Sequence, residues 1–464
     1  MGIISNYSRL FRLTLVSWVC YGIIFLFQPP ENYLQFIGLF SMLLSIIVAI
    51  KSPIEGLYLL PFPLLLGPIS PLLFNFLMLT IGDIYSLFLI LIVFTTKKIK
   101  LTESSRIVFF TITILLLIST LFSNNISGSI IGLVRTSQYL LLAYVTNRLI
   151  STNKEIFNIF YFWAMGSVLV AIIILWAYFN FWEPLLWKNN ENRQIQNINL
   201  DTISYLYRPT YFYTNIWLPL NLSLIYIIYC LTKKGKYSFF MKLVLISCSI
   251  IILITIIINN SKSILFADGI VALFFLLYMI FKNKFLHKLI KVIPILILMG
   301  VLLFSMYNKM IPDSQRDALF NRMNSSSSLQ MRFSVWENVF NRIGDNIPKL
   351  IIGHGPQSAW RGGINREFYT GVRGNTEGAF DSTPISIILE NGIIIFFIIT
   401  FFFFHIFLRI WKYWKLKKES IYMIFLIMFS VSILAHLTQQ FGFNPASLSI
   451  VQVLAIMSKS KFTS

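Results

Sequence analysis

ISIILENGIIIFFIITFFFFHIF, residues 385–407, is a mainly apolar run of 23 positions, interrupted only by Ser386, Glu390, Asn391, Thr400 and His405. Crossing the ~30 Å hydrocarbon core of a bilayer takes about 20 such residues. Only a helix pairs each of its backbone N–H and C=O groups where no water can reach them. Composition extends this reading to the whole chain of 464 residues, which is 56% hydrophobic and 12% charged, against roughly 25% charged in soluble domains. The fold class is therefore an all-α polytopic membrane protein.

Working outward from 385–407, the apolar segments divide into about fourteen transmembrane helices (12–14), near 13–27, 33–50, 57–73, 83–94, 107–122, 126–145, 156–181, 216–231, 243–258, 264–281, 292–307, 385–407, 421–437 and 448–457. Pro61, Pro63, Pro68 and Pro71 interrupt the third. Residues 57–94 thus read either as two spans or as one kinked span with a re-entrant piece. The chain is organised as N-terminal transmembrane helices (1–181), a first polar loop (182–215), central helices (216–307), a large polar loop with short helices (308–384) and C-terminal helices (385–464).

Lys and Arg in short loops resist translocation, which orients the bundle. With the N-terminus inside, 24 of the 38 basic residues face the cytoplasm, while the short outer loops hold one, Lys262. Both polar loops then face outward, and both termini are cytoplasmic. The net charge of +20 is accounted for by this bias and by attraction to anionic headgroups, so no nucleic-acid partner is expected. Cys20, Cys230 and Cys248 form neither a CxxC pair nor a disulfide framework. The first apolar run lacks a small-residue cleavage site and reads as an anchor.

Charges inside spans cost about 2.5–3.5 kcal/mol each on insertion scales and are functional candidates by default. Asp83, Asp268, Arg135 and His436 all lie toward the outer side, which suggests a wet outer cavity. For Asp83 and His436 a plain interfacial position is the alternative. There is no GxxxxGK[ST] loop, GxGxxG turn, HExxH or DxD pair, so neither a metal nor a nucleotide cofactor is expected. What remains is a set of outward arginines, whose planar forks suit bidentate phosphate binding.

Three outer stretches carry a resemblance. Arg208-Pro209-Thr210-Tyr211-Phe212-Tyr213-Thr214-Asn215 leads into a span; Arg332-Phe333-Ser334-Val335-Trp336 is followed by Leu350-Ile351-Ile352-Gly353-His354-Gly355; and Asp381-Ser382 stands eleven residues before Gly392. In order and topology these are similar to the motifs of the O-antigen ligase and O-antigen polymerase (Wzy-type) superfamily, over roughly residues 135–407. At the third motif the ligases carry His-Asn, whereas this chain has Asp381, a departure that favours a polymerase. Asn260-Ser261-Lys262-Ser263 is a weaker match to the family's Ser-Arg.

The resemblance implies a GT-C-like glycosyltransferase bundle in a bacterial cytoplasmic membrane, with its active site facing the exterior. It would join undecaprenyl-pyrophosphate-linked oligosaccharides, with a chain-length regulator as a further partner beside the bilayer. Asp381, Arg208 and Arg332 are the catalytic candidates, and Arg135, Lys262, Arg322, His354, Glu377 and His436 the substrate-binding ones. Each has a plainer alternative: Arg208 and Arg332 could snorkel to headgroups, Asp381 could cap the following helix, and His354 could serve the turn it occupies. The rival functions are a ligase and, in a different class, a lipid-linked glycan flippase. A flippase would call for internal repeats and mid-membrane charges, which this sequence lacks.

Overall fold

A computed structural model of the chain describes residues 7–27, 31–66, 80–96, 103–123, 126–179, 186–187, 208–209, 217–232, 238–259, 347–356 and 383–417, together with 269, 337, 341, 422 and 426–430. Those residues form helices α1 (Arg9–Phe25), α2 (Glu31–Lys51), α3 (Pro53–Leu59), α4 (Pro61–Leu66), α5 (Ile81–Thr96), α6 (Glu103–Leu121), α7 (Ile126–Leu149), α8 (Asn153–Phe179), α9 (Trp217–Thr232), α10 (Phe239–Asn259), α11 (Ile347–Ile352) and α12 (Thr383–Lys417). One antiparallel pair, β1 (Leu186–Trp187) with β2 (Arg208–Pro209), completes them. Among the described residues, four helices are long and apolar enough to cross a membrane, within Tyr33–Lys51, Asn153–Trp176, Phe239–Ile256 and Pro384–Leu416.

The apolar spans expected over 13–27, 33–50, 83–94, 107–122, 126–145, 156–181, 216–231, 243–258 and 385–407 all appear as helices. Those at 264–281, 292–307 and 448–457, and most of 421–437, lie outside the described residues. Of the third span, 57–73, the described residues reach only to 66, and there the chain forms two short helices. Pro53 opens α3 and Pro61 opens α4, because proline fits the first turn of a helix but not its interior. Residues 56–66 are buried throughout, packed among α2, α5 and α8. A broken helix is tolerated at such depth because protein surrounds it rather than lipid.

Packing follows the membrane pattern. Phe397, Phe401, Phe404 and Leu408 of α12 are exposed at helical spacing, the reverse of a soluble helix, while small and polar side chains point inward. Ser17 meets Ser41 at 2.6 Å, the Trp18 indole N–H donates to Ser45 Oγ at 2.9 Å, and Ser223 donates to Ser167 at 2.9 Å. Tyr85 donates to the Gly56 carbonyl at 2.7 Å. A Cβ on Gly56 would lie 2.5 Å from Ala49 Cβ, so the α2–α3 contact requires a residue with no side chain.

Candidate functional site

The helix that opens at Thr383 does not run straight. At Gly392, φ 83° and ψ 165° leave the helical region, so the carbonyls one turn earlier lose their usual donors. Unpaired in an apolar bundle, each would cost several kcal/mol. The turn after α11 supplies the replacements: the His354 N–H donates to Leu389 O and the Gly355 N–H to Glu390 O, both at 2.8 Å. Ser119 of α6 adds its hydroxyl to Glu390 O at 2.9 Å.

That turn needs its glycines. Gly353 (φ 85°) and Gly355 (φ 103°) lie in the left-handed region. A Cβ at Gly353 would strike the Glu390 carbonyl, and one at Gly355 would lie 2.6 Å from Ser123. On α7, Gly132 lets the Pro356 carbonyl approach in the same way. Lys349, in the last turn of α11, donates at 2.6 Å to Phe122 O just past the end of α6. A cation there also complements the negative end of the helix. Residues 347–356 of the long polar loop are thereby folded back onto the first turns of α12.

His354 is half-buried in this turn. Burial, and then the positive charge of Lys349, push its imidazole down to about 4, so it is neutral at pH 7. An unfolded histidine titrates near pH 6.5. Above that value both states are neutral and stability is unaffected. Between about 6.5 and 4 the unfolded chain alone takes up the proton, and folded stability falls. The thermal midpoint should therefore drop across that window in the wild type and drop less in His354→Asn; equal slopes would contradict the buried neutral imidazole.

Beneath the turn lies a buried ion pair. Asp83, 0% exposed, accepts at Oδ2 from Arg135 Nη2 at 3.4 Å and from the Thr80 N–H and hydroxyl at 3.0 and 3.1 Å. Gln138 donates to the Asp83 carbonyl at 2.9 Å and to Ser86 Oγ. Asp83 stands in the first turn of α5, with its carboxylate turned into the bundle interior toward Arg135. Gly132, which holds Pro356, is three residues before Arg135, a separation of about 4.5 Å along the helix. The turn and the ion pair therefore occupy the same end of the bundle, where α5, α7 and α12 begin and α6 ends.

Residues 247–400 match the family model described as O-antigen ligase. The match supports the O-antigen ligase/polymerase superfamily, whose members are membrane glycosyltransferase-like enzymes, and so a function of that type. No curated protein and no solved structure matches the chain. The matched segment holds Lys262, Arg322, Arg332, His354, Glu377 and Asp381, and runs through the Gly392 break, while Arg135, Arg208 and His436 fall outside it.

Of the candidates, the structure places His354 on the α12 turn and Arg135 on Asp83. The Arg208 backbone pairs with Trp187 in the β1–β2 pair, and β2 lies against α8 and α10. Lys262, Arg322, Arg332, Glu377, Asp381 and His436 lie outside the described residues. Sequence reasoning gave no role to Glu390 or Asn391, each 3% exposed at the break in α12. An acidic residue followed by Asn-Gly inside a 23-residue apolar run was the available signal.

Proposed function

We propose that this chain is an O-antigen or capsular polysaccharide polymerase acting at the outer face of the cytoplasmic membrane. The observation that carries the reading is the family match over residues 247–400, the segment containing the long polar loop and the start of α12. Aspartate at position 381, where the ligases carry histidine, favours the polymerase over a ligase that transfers finished glycan to a lipid A core or a protein.

In the proposed reaction a terminal sugar hydroxyl of one lipid-linked repeat unit attacks the anomeric carbon of a glycan on undecaprenyl pyrophosphate. The new C–O bond forms as the bond to the pyrophosphate oxygen breaks, and undecaprenyl pyrophosphate departs with the electron pair. Asp381 takes the hydroxyl proton. Arg208 and Arg332 grip the pyrophosphate and offset its growing charge, with Arg135, Lys262 and Arg322 as further cations around the donor. His354, Glu377 and His436 contact the sugars.

Arg208→Lys and Arg332→Lys test the clamp, because lysine keeps the charge but loses the two-pronged fork. Each is expected to shorten and deplete the glycan ladder at least tenfold, about 1.4 kcal/mol of transition-state stabilisation, at normal protein levels. A wild-type ladder from both variants would remove the clamp.

A further inference from the structure

A second site lies at the far end of α2. Gly38 of α2 packs against Ile81 at the start of α5, whereas Lys51 is thirteen residues further along, about 20 Å away on a helix. There the cap of α1 is fastened to α3: the Ser8 N–H and hydroxyl donate to Glu55 Oε1 and Oε2 at 3.3 and 2.6 Å. Ser8 Oγ also accepts from the Phe11 N–H at 3.2 Å. Beside this clasp is an open cleft of about 510 Å³, within the roughly 300–1,000 Å³ range of small-molecule sites.

The cleft is two-sided in character. Arg9 from α1 and Lys51 from α2 bring two exposed cations to its mouth, while Leu10, Leu13 and Val48 form its apolar wall. The one acidic group among its described lining residues, Glu55, is engaged by both Ser8 donors. Leu13, which lines the cleft, and Val16, one turn further along α1, are 55% and 57% exposed, and Ile47 of α2, next to Val48 in sequence, is exposed as well. A soluble anion would use the cations alone, and make no use of the apolar surfaces that lead from them into the bilayer. A phospholipid with a net negative headgroup satisfies both, its phosphate at the helix ends and an acyl chain along the two apolar faces.

We infer that the cleft between α1 and α2 is a binding site for an anionic phospholipid, held by Arg9 and Lys51. The site is separate from the glycan chemistry and does not depend on it. Glu55 sets its selectivity, since a carboxylate beside the phosphate disfavours a second negative charge and tempers the affinity.

The test uses the purified full-length protein in detergent, titrated with phosphatidylglycerol or phosphatidylcholine, with bound lipid counted by native mass spectrometry. Wild type is expected to hold one phosphatidylglycerol more tightly than phosphatidylcholine. Arg9→Ala/Lys51→Ala should weaken that lipid by roughly thirtyfold, from the attraction each cation adds near an anionic headgroup. The charge-keeping Arg9→Lys/Lys51→Arg exchange should retain it, and Glu55→Gln should tighten it, a gain that misfolding would not produce. Equal binding of the two lipids, an unchanged Arg9→Ala/Lys51→Ala variant, or displacement of the bound lipid by millimolar inorganic phosphate would overturn the inference.

Discussion

Gly353→Ala is expected to leave little folded protein and no glycan polymer. The left-handed backbone at this residue costs a side chain about 1–2 kcal/mol. The larger penalty is contact, because the added Cβ falls on the Glu390 carbonyl and lies 2.6 Å from the Gly392 N–H nitrogen. Neither is a flexible side-chain end; both belong to the backbone of the α12 break, which the Gly355 N–H and Ser119 hydroxyl hold from two other directions. Gly392→Ala should fail in the same way against the Ile351 carbonyl. Gly269→Ala is the control, since among the described residues its Cβ meets nothing within 4 Å. Fluorescence-detected size exclusion and a glycan ladder gel give the readout. A Gly353→Ala protein with wild-type abundance and polymer length would contradict the interlocked turn.

Removing one partner of the buried ion pair should be nearly as damaging. Asp83→Ala leaves the Arg135 charge inside the bundle without its carboxylate, a loss of about 3–5 kcal/mol for a buried pair, whereas replacing both partners with apolar residues is often neutral or stabilising. Asp83→Leu/Arg135→Met is therefore expected to recover the thermal midpoint that Asp83→Ala loses. Because Arg135 is also proposed to serve the donor, the recovered fold is expected to polymerise poorly. Full recovery of both fold and polymer would confine Arg135 to a structural role. No recovery of the fold would contradict the pairing itself.

Periodicity and apolar run length made the bundle legible because a bilayer punishes unpaired backbone uniformly; α2, α8, α10 and α12 could be read on that ground alone. The third span was harder. Its prolines showed that a helix breaks between residues 57 and 73, but not that the pieces α3 and α4 lie buried among α2, α5 and α8, where protein satisfies the freed groups. Asp83 and Arg135 were each visible as a charge in a span. Their pairing spans 52 residues and depends on how α5 meets α7, which no local pattern records. Gly353-His354-Gly355 stood out as a turn, yet its partner, the break at Gly392, was seen only as the end of a motif. The match between two backbone segments, each with the donors or acceptors the other lacks, is a tertiary property.

The most direct measurement of the central claim uses purified protein reconstituted in lipid, supplied with an undecaprenyl-pyrophosphate-linked repeat unit and no other acceptor. Wild type is expected to release undecaprenyl pyrophosphate and build lipid-linked chains of two or more repeats. Asp381→Asn, which keeps the size and most of the helix-capping capacity of aspartate, should insert at normal levels and leave single repeats. Wild-type protein that leaves the repeat units unjoined but moves glycan onto an added lipid A core would contradict the polymerase assignment, and full-length polymer from Asp381→Asn would remove Asp381 as the base.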